Sequence, residues 1–87
     1  MSTGGPGTGV RAVVEVLAKA LADRPDEVRV TELQHQQVTL IELFVSPQDI
    51  AKVIGRQGRT AAALRTLAST AGEREGKQVT LEIRESR

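Results

Sequence analysis

Eighty-seven residues with a formal net charge of +1 amount to one small domain, and so balanced a charge does not by itself point to nucleic acid or membrane. The chain has no cysteine, hence no disulfide framework and no thiolate zinc site, and no apolar stretch approaches the roughly 20 residues of a membrane span, so a soluble, cytoplasmic protein is expected. A single phenylalanine, Phe44, with no Trp or Tyr, argues against any site built on aromatic stacking.

The chain opens MSTGGPGTG, which holds four of the eight glycines and no apolar residue after Met1. Residues 1–9 therefore read as a flexible Gly-rich tail, and without a basic start and an apolar run they are not a signal peptide. The folded part is expected over residues 10–84, with 85–87 as a short C-terminal tail.

Val10, Val13, Val14, Leu17 and Leu21 recur at helical spacing and predict an amphipathic helix, stopped at Asp23-Arg24-Pro25 because proline disfavours helical geometry in the residue before it. Glu27 to Leu33, EVRVTEL, alternates and reads as a strand, which places His35 in the turn that follows. A lone histidine in a polar turn, with no second His and no Cys, is a surface residue rather than a ligand. Val38 to Val45, VTLIELFV, is the strongest strand signal. Glu42 marks its solvent face, so Leu40 and Phe44 point outward and Ile41, Leu43 and Val45 inward.

Ser46-Pro47-Gln48-Asp49 is a helix start, with Ser as N-cap, Pro in the first helical position and an acid three residues after the cap. A short helix to about Ile54 follows, then GRQG, then a helix from Arg59 to about Ala71 with Ala61, Leu64, Leu67, Ala68 and Ala71 on one side. Gly72 and the polar run to Gly76 are expected to end it. Gln78 to Arg84, QVTLEIR, alternates with Val79, Leu81 and Ile83 inward. The order α-β-β-α-α-β predicts an α+β two-layer sandwich. Its three-stranded mixed sheet is a hairpin joined by a last strand returning parallel to the central one, and the helices cover one face.

Two glycines three apart at the joint of two helices need a reason, since glycine costs about 1 kcal/mol against alanine inside a helix. Either the turn requires glycine's dihedral freedom or something approaches the backbone there. Charge favours the second reading. Between Ser46 and Ala71 stand Lys52, Arg56, Arg59 and Arg65 against Asp49 alone, a local +3, while the rest of the chain carries eight basic and ten acidic residues.

Val53-Ile54, Gly55-Arg56-Gln57-Gly58 and Ala61 together resemble the K-homology (KH) RNA-binding signature of an apolar pair, Gly-x-x-Gly, and an apolar residue on the next helix. The element order resembles type II KH. KALADRPDEVRV, SPQDIAKVIGRQGRTA and GKQVTLEI are similar to the small bacterial KhpA family of stand-alone KH proteins, over roughly residues 11–84. The resemblance implies a non-catalytic protein that clamps about four single-stranded RNA nucleotides. Gly55 and Gly58 would permit close backbone approach, and Arg56, Gln57, Arg59 and Lys52 would contact phosphate. Ile50, Val53, Ile54, Ala61 and Leu64 would be shared between a base-binding groove and the core. It further implies self-association, or pairing with a larger KH-containing protein, in a small RNA chaperone or regulator of the bacterial cytoplasm. Two positions depart from the common pattern: Arg56 stands where many relatives carry lysine, and Ala61 is smaller than the usual Ile, Leu or Val, which implies a shallower groove.

Two other readings stay open on the sequence. IGRQGRTAAAL is superficially close to a helix-hairpin-helix that binds duplex DNA, but that motif has glycines two apart with an apolar residue between them. A scaffold or dimerisation domain would use the turn only as structure, and the outward Leu40 and Phe44 suit it. An enzyme is not expected: the acids Glu15, Glu32, Glu42 and Glu82 are scattered singly, with no P-loop, nucleophile–base pair, metal set or cofactor motif.

Overall fold

The computed structural model describes residues 9–86, so the expected tail falls outside it except for Gly9, which opens the first helix. In chain order the elements are α1 (Gly9–Leu21), β1 (Arg29–His35), β2 (Val38–Val45), α2 (Ile50–Ile54), α3 (Arg59–Arg74) and β3 (Gln78–Glu85). Short 3₁₀ turns at Pro25–Glu27, Pro47–Asp49 and Arg56–Gly58 lead into β1, α2 and α3. The sheet runs β1-β2-β3, with β2 antiparallel to β1 and parallel to β3. The helices lie on one face of it, and the chain is an α+β two-layer sandwich in the order that the periodicities predict.

Alternation along β2 places the core. Thr39, Ile41, Leu43 and Val45 are buried while Val38, Leu40, Glu42 and Phe44 remain half-buried on the other face. Val30 of β1 and Leu81 of β3 join the inward row, and Val10, Val14 and Ala18 of α1 with Val53, Leu64 and Ala68 cover it. On the outer face the Glu42 carboxylate accepts from Thr31 Oγ1 (3.0 Å) and lies 3.5 Å from Arg84 Nε.

Several boundaries differ from the expectation, with α2 beginning at Ile50 after the Pro47–Asp49 turn and β3 running one residue further, to Glu85. β1 begins at Arg29 because the Glu27 and Val28 N–H groups are used in the 3₁₀ turn, donating to Arg24 O and Pro25 O. It extends to His35, which sits opposite Val38 rather than in a turn, since Gln36 takes φ +56° and the hairpin closes on Gln36-Gln37. α3 continues through Gly72, which is buried against β3, where a Cβ would overlap Val79 Cγ2 and stand 3.1 Å from Lys77 O. Glycine there lets helix and strand touch instead of ending the helix. Two side chains on the expected apolar sides of the helices remain exposed, Leu21 at 38% and Leu67 at 46%.

Candidate nucleic-acid interface

The chain turns into helix where the sequence places it, but as a 3₁₀ turn: Ser46 Oγ accepts from the Gln48 N–H (3.3 Å) and Pro47 occupies the first position of that turn, while α2 itself begins at Ile50. The acid three residues after the cap has a different task. Asp49 is 1% exposed, and its two carboxylate oxygens accept from the main-chain N–H groups of Asp23 and Arg24, each at 3.0 Å. Burying a carboxylate requires such partners. The result ties the α1–β1 connection to the start of α2, and Arg24 Nε adds a bond to Gln48 Oε1 at 2.7 Å.

On α2, Val53 is fully buried, Ile50 packs partly on the core and Ile54 is half-buried. Lys52 faces solvent but not alone, with its Nζ 2.9 Å from Asp23 Oδ2. That hydrogen bond, reinforced by the charge of Asp23, raises the Lys52 pKa above the ordinary lysine value.

The two glycines are needed for different reasons. Gly55 has φ +78° and ψ 171°, a region essentially closed to other residues, and a Cβ on it would overlap the Thr60 hydroxyl and lie 2.6 Å from Thr60 Cβ. Gly58 has φ +74°, and a Cβ on it would meet no protein atom within 4 Å. Its space opens outward. Between them Gln57 also adopts a left-handed conformation, φ 56° and ψ 25°, and Arg56, Gln57 and Arg59 are exposed. Gln57 Oε1 accepts from an Arg59 guanidinium NH2 (3.0 Å), whereas Arg56 has no side-chain partner among the described residues.

No side chain caps α3, and the Arg59 N–H turns back to Arg56 O. Helix geometry leaves the next first-turn amides without intrahelical acceptors, and the helix dipole adds partial positive charge at the same end. An uncapped N-terminus behind an outward-opening glycine and flanked by arginines is suited to an oxyanion.

The structure divides the expected groove set. Val53 and Leu64 (3% exposed) belong to the core, and Ala61 (3%) is buried under the first turn of α3. Ile50 and Ile54 alone keep part of their apolar surface available beside the loop. Sequence reasoning missed Thr60, whose packing dictates Gly55, and Asp23, which looked only like part of a helix stop. No periodicity signals either role: Thr60 meets Gly55 across the turn, and Asp23 meets Lys52 across the fold.

Two helices joined by Gly-x-x-Gly between strands, with a preceding α–β pair, define a KH domain of type II order. The family description KhpA/KhpB, KH domain, matches residues 11–83, and the chain belongs to that family. It is 47% identical over 78 residues to the RNA-binding protein KhpA of Aquifex aeolicus, covering 90% of this chain and 99% of that one. With the RNA-binding protein KhpA of Caldanaerobacter subterraneus subsp. tengcongensis it shares 51% identity over 71 residues, 82% of this chain and 95% of the relative. With that of Clostridium perfringens it shares 45% over 74 residues, 85% and 99%.

Proposed function

We propose that this chain is a non-catalytic protein that binds single-stranded RNA through the Gly55–Gly58 loop and the apolar strip beside it. The observation carrying this reading is the open space at Gly58 in front of an uncapped α3. The RNA-binding names of relatives aligned over nearly their whole length support it. In this reading the backbone amides at the start of α3 take a phosphate, Arg56 and the Gln57–Arg59 pair hold its neighbours, and Ile50 and Ile54 support a base. With so few phosphates engaged, affinity falls only shallowly with salt.

The test is a fluorescence-anisotropy titration of a labelled short single-stranded RNA with wild type and with Arg56→Asp/Gln57→Asp. Aspartate tolerates the left-handed conformation of position 57, so the variant keeps its fold, which circular dichroism checks. Affinity is expected to drop by about tenfold or more. Equal binding by both proteins would move the RNA contacts elsewhere.

A lone module with two half-buried isoleucines beside its loop binds weakly, and pairing with another KH module raises effective concentration. The role we propose is that of a small RNA chaperone or regulator in the bacterial cytoplasm, working as a dimer or beside a larger KH-containing protein. The face that fits a second copy lies between α1 and α3. Ala12, Val13, Val16, Leu17 and Leu67 line a groove of about 420 Å³ there, without one polar group, and Val16 is 67% exposed. Nothing in that lining attracts phosphate, and a net charge of +1 sets up little repulsion between copies. Val16→Glu should convert a concentration-dependent dimer to monomer in analytical ultracentrifugation. Unchanged association would remove this face from the interface.

A further inference from the structure

Lys52 stands on the last turn of α2, next to the loop, yet it is already occupied by Asp23 at 2.9 Å. Both side chains are well exposed, 49% and 73%, and an ion pair so open to water adds little to stability. The position of Asp23 is nevertheless built with care. Its main-chain N–H, and that of Arg24, are held by the two oxygens of Asp49, which is 1% exposed, and Arg24 is bonded in turn to Gln48. A buried anchor thus fixes the backbone of an exposed acid opposite one of the few cations near the loop. The pair also withdraws one charge from the +3 of the Ser46–Ala71 segment.

We infer that Asp23 is an affinity-setting residue of the RNA site: its carboxylate occupies the phosphate position on Lys52, and an incoming RNA phosphate must displace it. The inference rests on the RNA-binding reading above and adds to it a competition internal to the protein. A carboxylate and a phosphate oxygen offer the same acceptor chemistry to an ammonium, and two anions held by one ammonium repel each other, so the two compete for Lys52. RNA binding then releases Asp23 into water while its backbone stays tied to Asp49. The competition is greatest at low ionic strength, where the phosphate contact is strongest, and fades as salt screens both interactions.

The experiment is a double-mutant cycle with a fluorescein-labelled single-stranded RNA 12-mer of mixed sequence, titrated with wild type, Asp23→Asn, Lys52→Gln and the double variant at low and at physiological salt. Arg56→Asp/Gln57→Asp is run alongside. Asp23→Asn is expected to tighten binding about threefold to fivefold in the wild-type background and to have no effect once Lys52 is glutamine. Equal tightening in both backgrounds would mean that Asp23 acts only through net charge, and would overturn the proposal. So would unchanged affinity on removing Asp23. If wild type and the loop variant bind alike, or neither binds, the RNA-binding reading itself fails and takes this inference with it, an outcome set apart by the loop control. Asp23→Asn retains the main-chain bond to Asp49 and is expected to unfold in urea at the wild-type midpoint. Asp23→Ser removes the same charge with a different side chain and repeats the comparison.

Discussion

Two of the tight reversals in the chain contain a glutamine at φ +56°: Gln36 between β1 and β2, and Gln57 between α2 and α3. The first is made without glycine, its strands paired up to His35 opposite Val38. The second is flanked by two glycines. A close reversal alone therefore does not demand glycine in this protein, and the α2–α3 turn must have further requirements. One is internal: Gly55 leaves room for Thr60 and adopts a backbone region closed to side chains. The other points outward, since the left-handed Gly58 has no protein atom for a Cβ to meet. The hairpin turn is shaped by the fold alone, while the helix turn is shaped by the fold at one end and left open at the other.

The largest expected effect comes from Gly55→Ala. It forces a side chain into an essentially forbidden conformation and against Thr60, and should lower the unfolding free energy by about 3 kcal/mol in urea denaturation. Adding Thr60→Ala should return about 1 kcal/mol, the part due to the Thr60 hydroxyl, and leave the overlap with the Cβ of residue 60 and the backbone part in place. A Gly55→Ala protein as stable as wild type would end the claim that this glycine is there for the fold.

Gly58→Ala sharpens the contrast. Stability should fall by about 1 kcal/mol, the cost of a left-handed alanine, because the Cβ meets nothing in the protein. RNA affinity should fall by about tenfold, the size of one lost hydrogen bond to a charged group, as the methyl occupies the approach to the α3 amides. The two glycine variants are then expected to separate: Gly55→Ala fails by unfolding, Gly58→Ala fails by binding. If Gly58→Ala keeps full affinity, the open space at that position has no role in RNA recognition.

Much of this was legible in the sequence because it depends on local pattern. The alternation of VTLIELFV fixed which side of β2 is buried, and Ser46-Pro47 marked the 3₁₀ turn that leads into α2. The loop was legible as an anomaly, two glycines between helices, but the distinct reasons for them were not. The need for Gly55 comes from Thr60, five residues on, meeting it across the turn. The apportioning of Val53, Ala61 and Leu64 to the interior was equally hidden, since a residue at a helix joint has two faces to choose from until the packing of α2 and α3 is known. Asp49 read as a capping acid, whereas its partners come from a segment 25 and 26 residues earlier. Local grammar locates elements and turns. Which side chain serves the fold and which serves a ligand is decided by contacts distant in sequence.

The smallest expected effects test whether the two glutamines differ at all. Replacing either by glycine relieves a left-handed side chain but adds flexibility to the unfolded chain, and the two contributions nearly cancel. Gln36→Gly and Gln57→Gly should each stay within about 0.5 kcal/mol of wild type in urea denaturation. Their RNA affinities should not match. Gln36→Gly changes a turn with no part in the proposed site and should bind as wild type does. Gln57→Gly removes the acceptor that orients the Arg59 guanidinium at 3.0 Å, so that arginine must be ordered at the moment of binding. A loss of about twofold to threefold is expected for that one side chain alone. Equal affinities would show that Arg59 needs no orienting by Gln57.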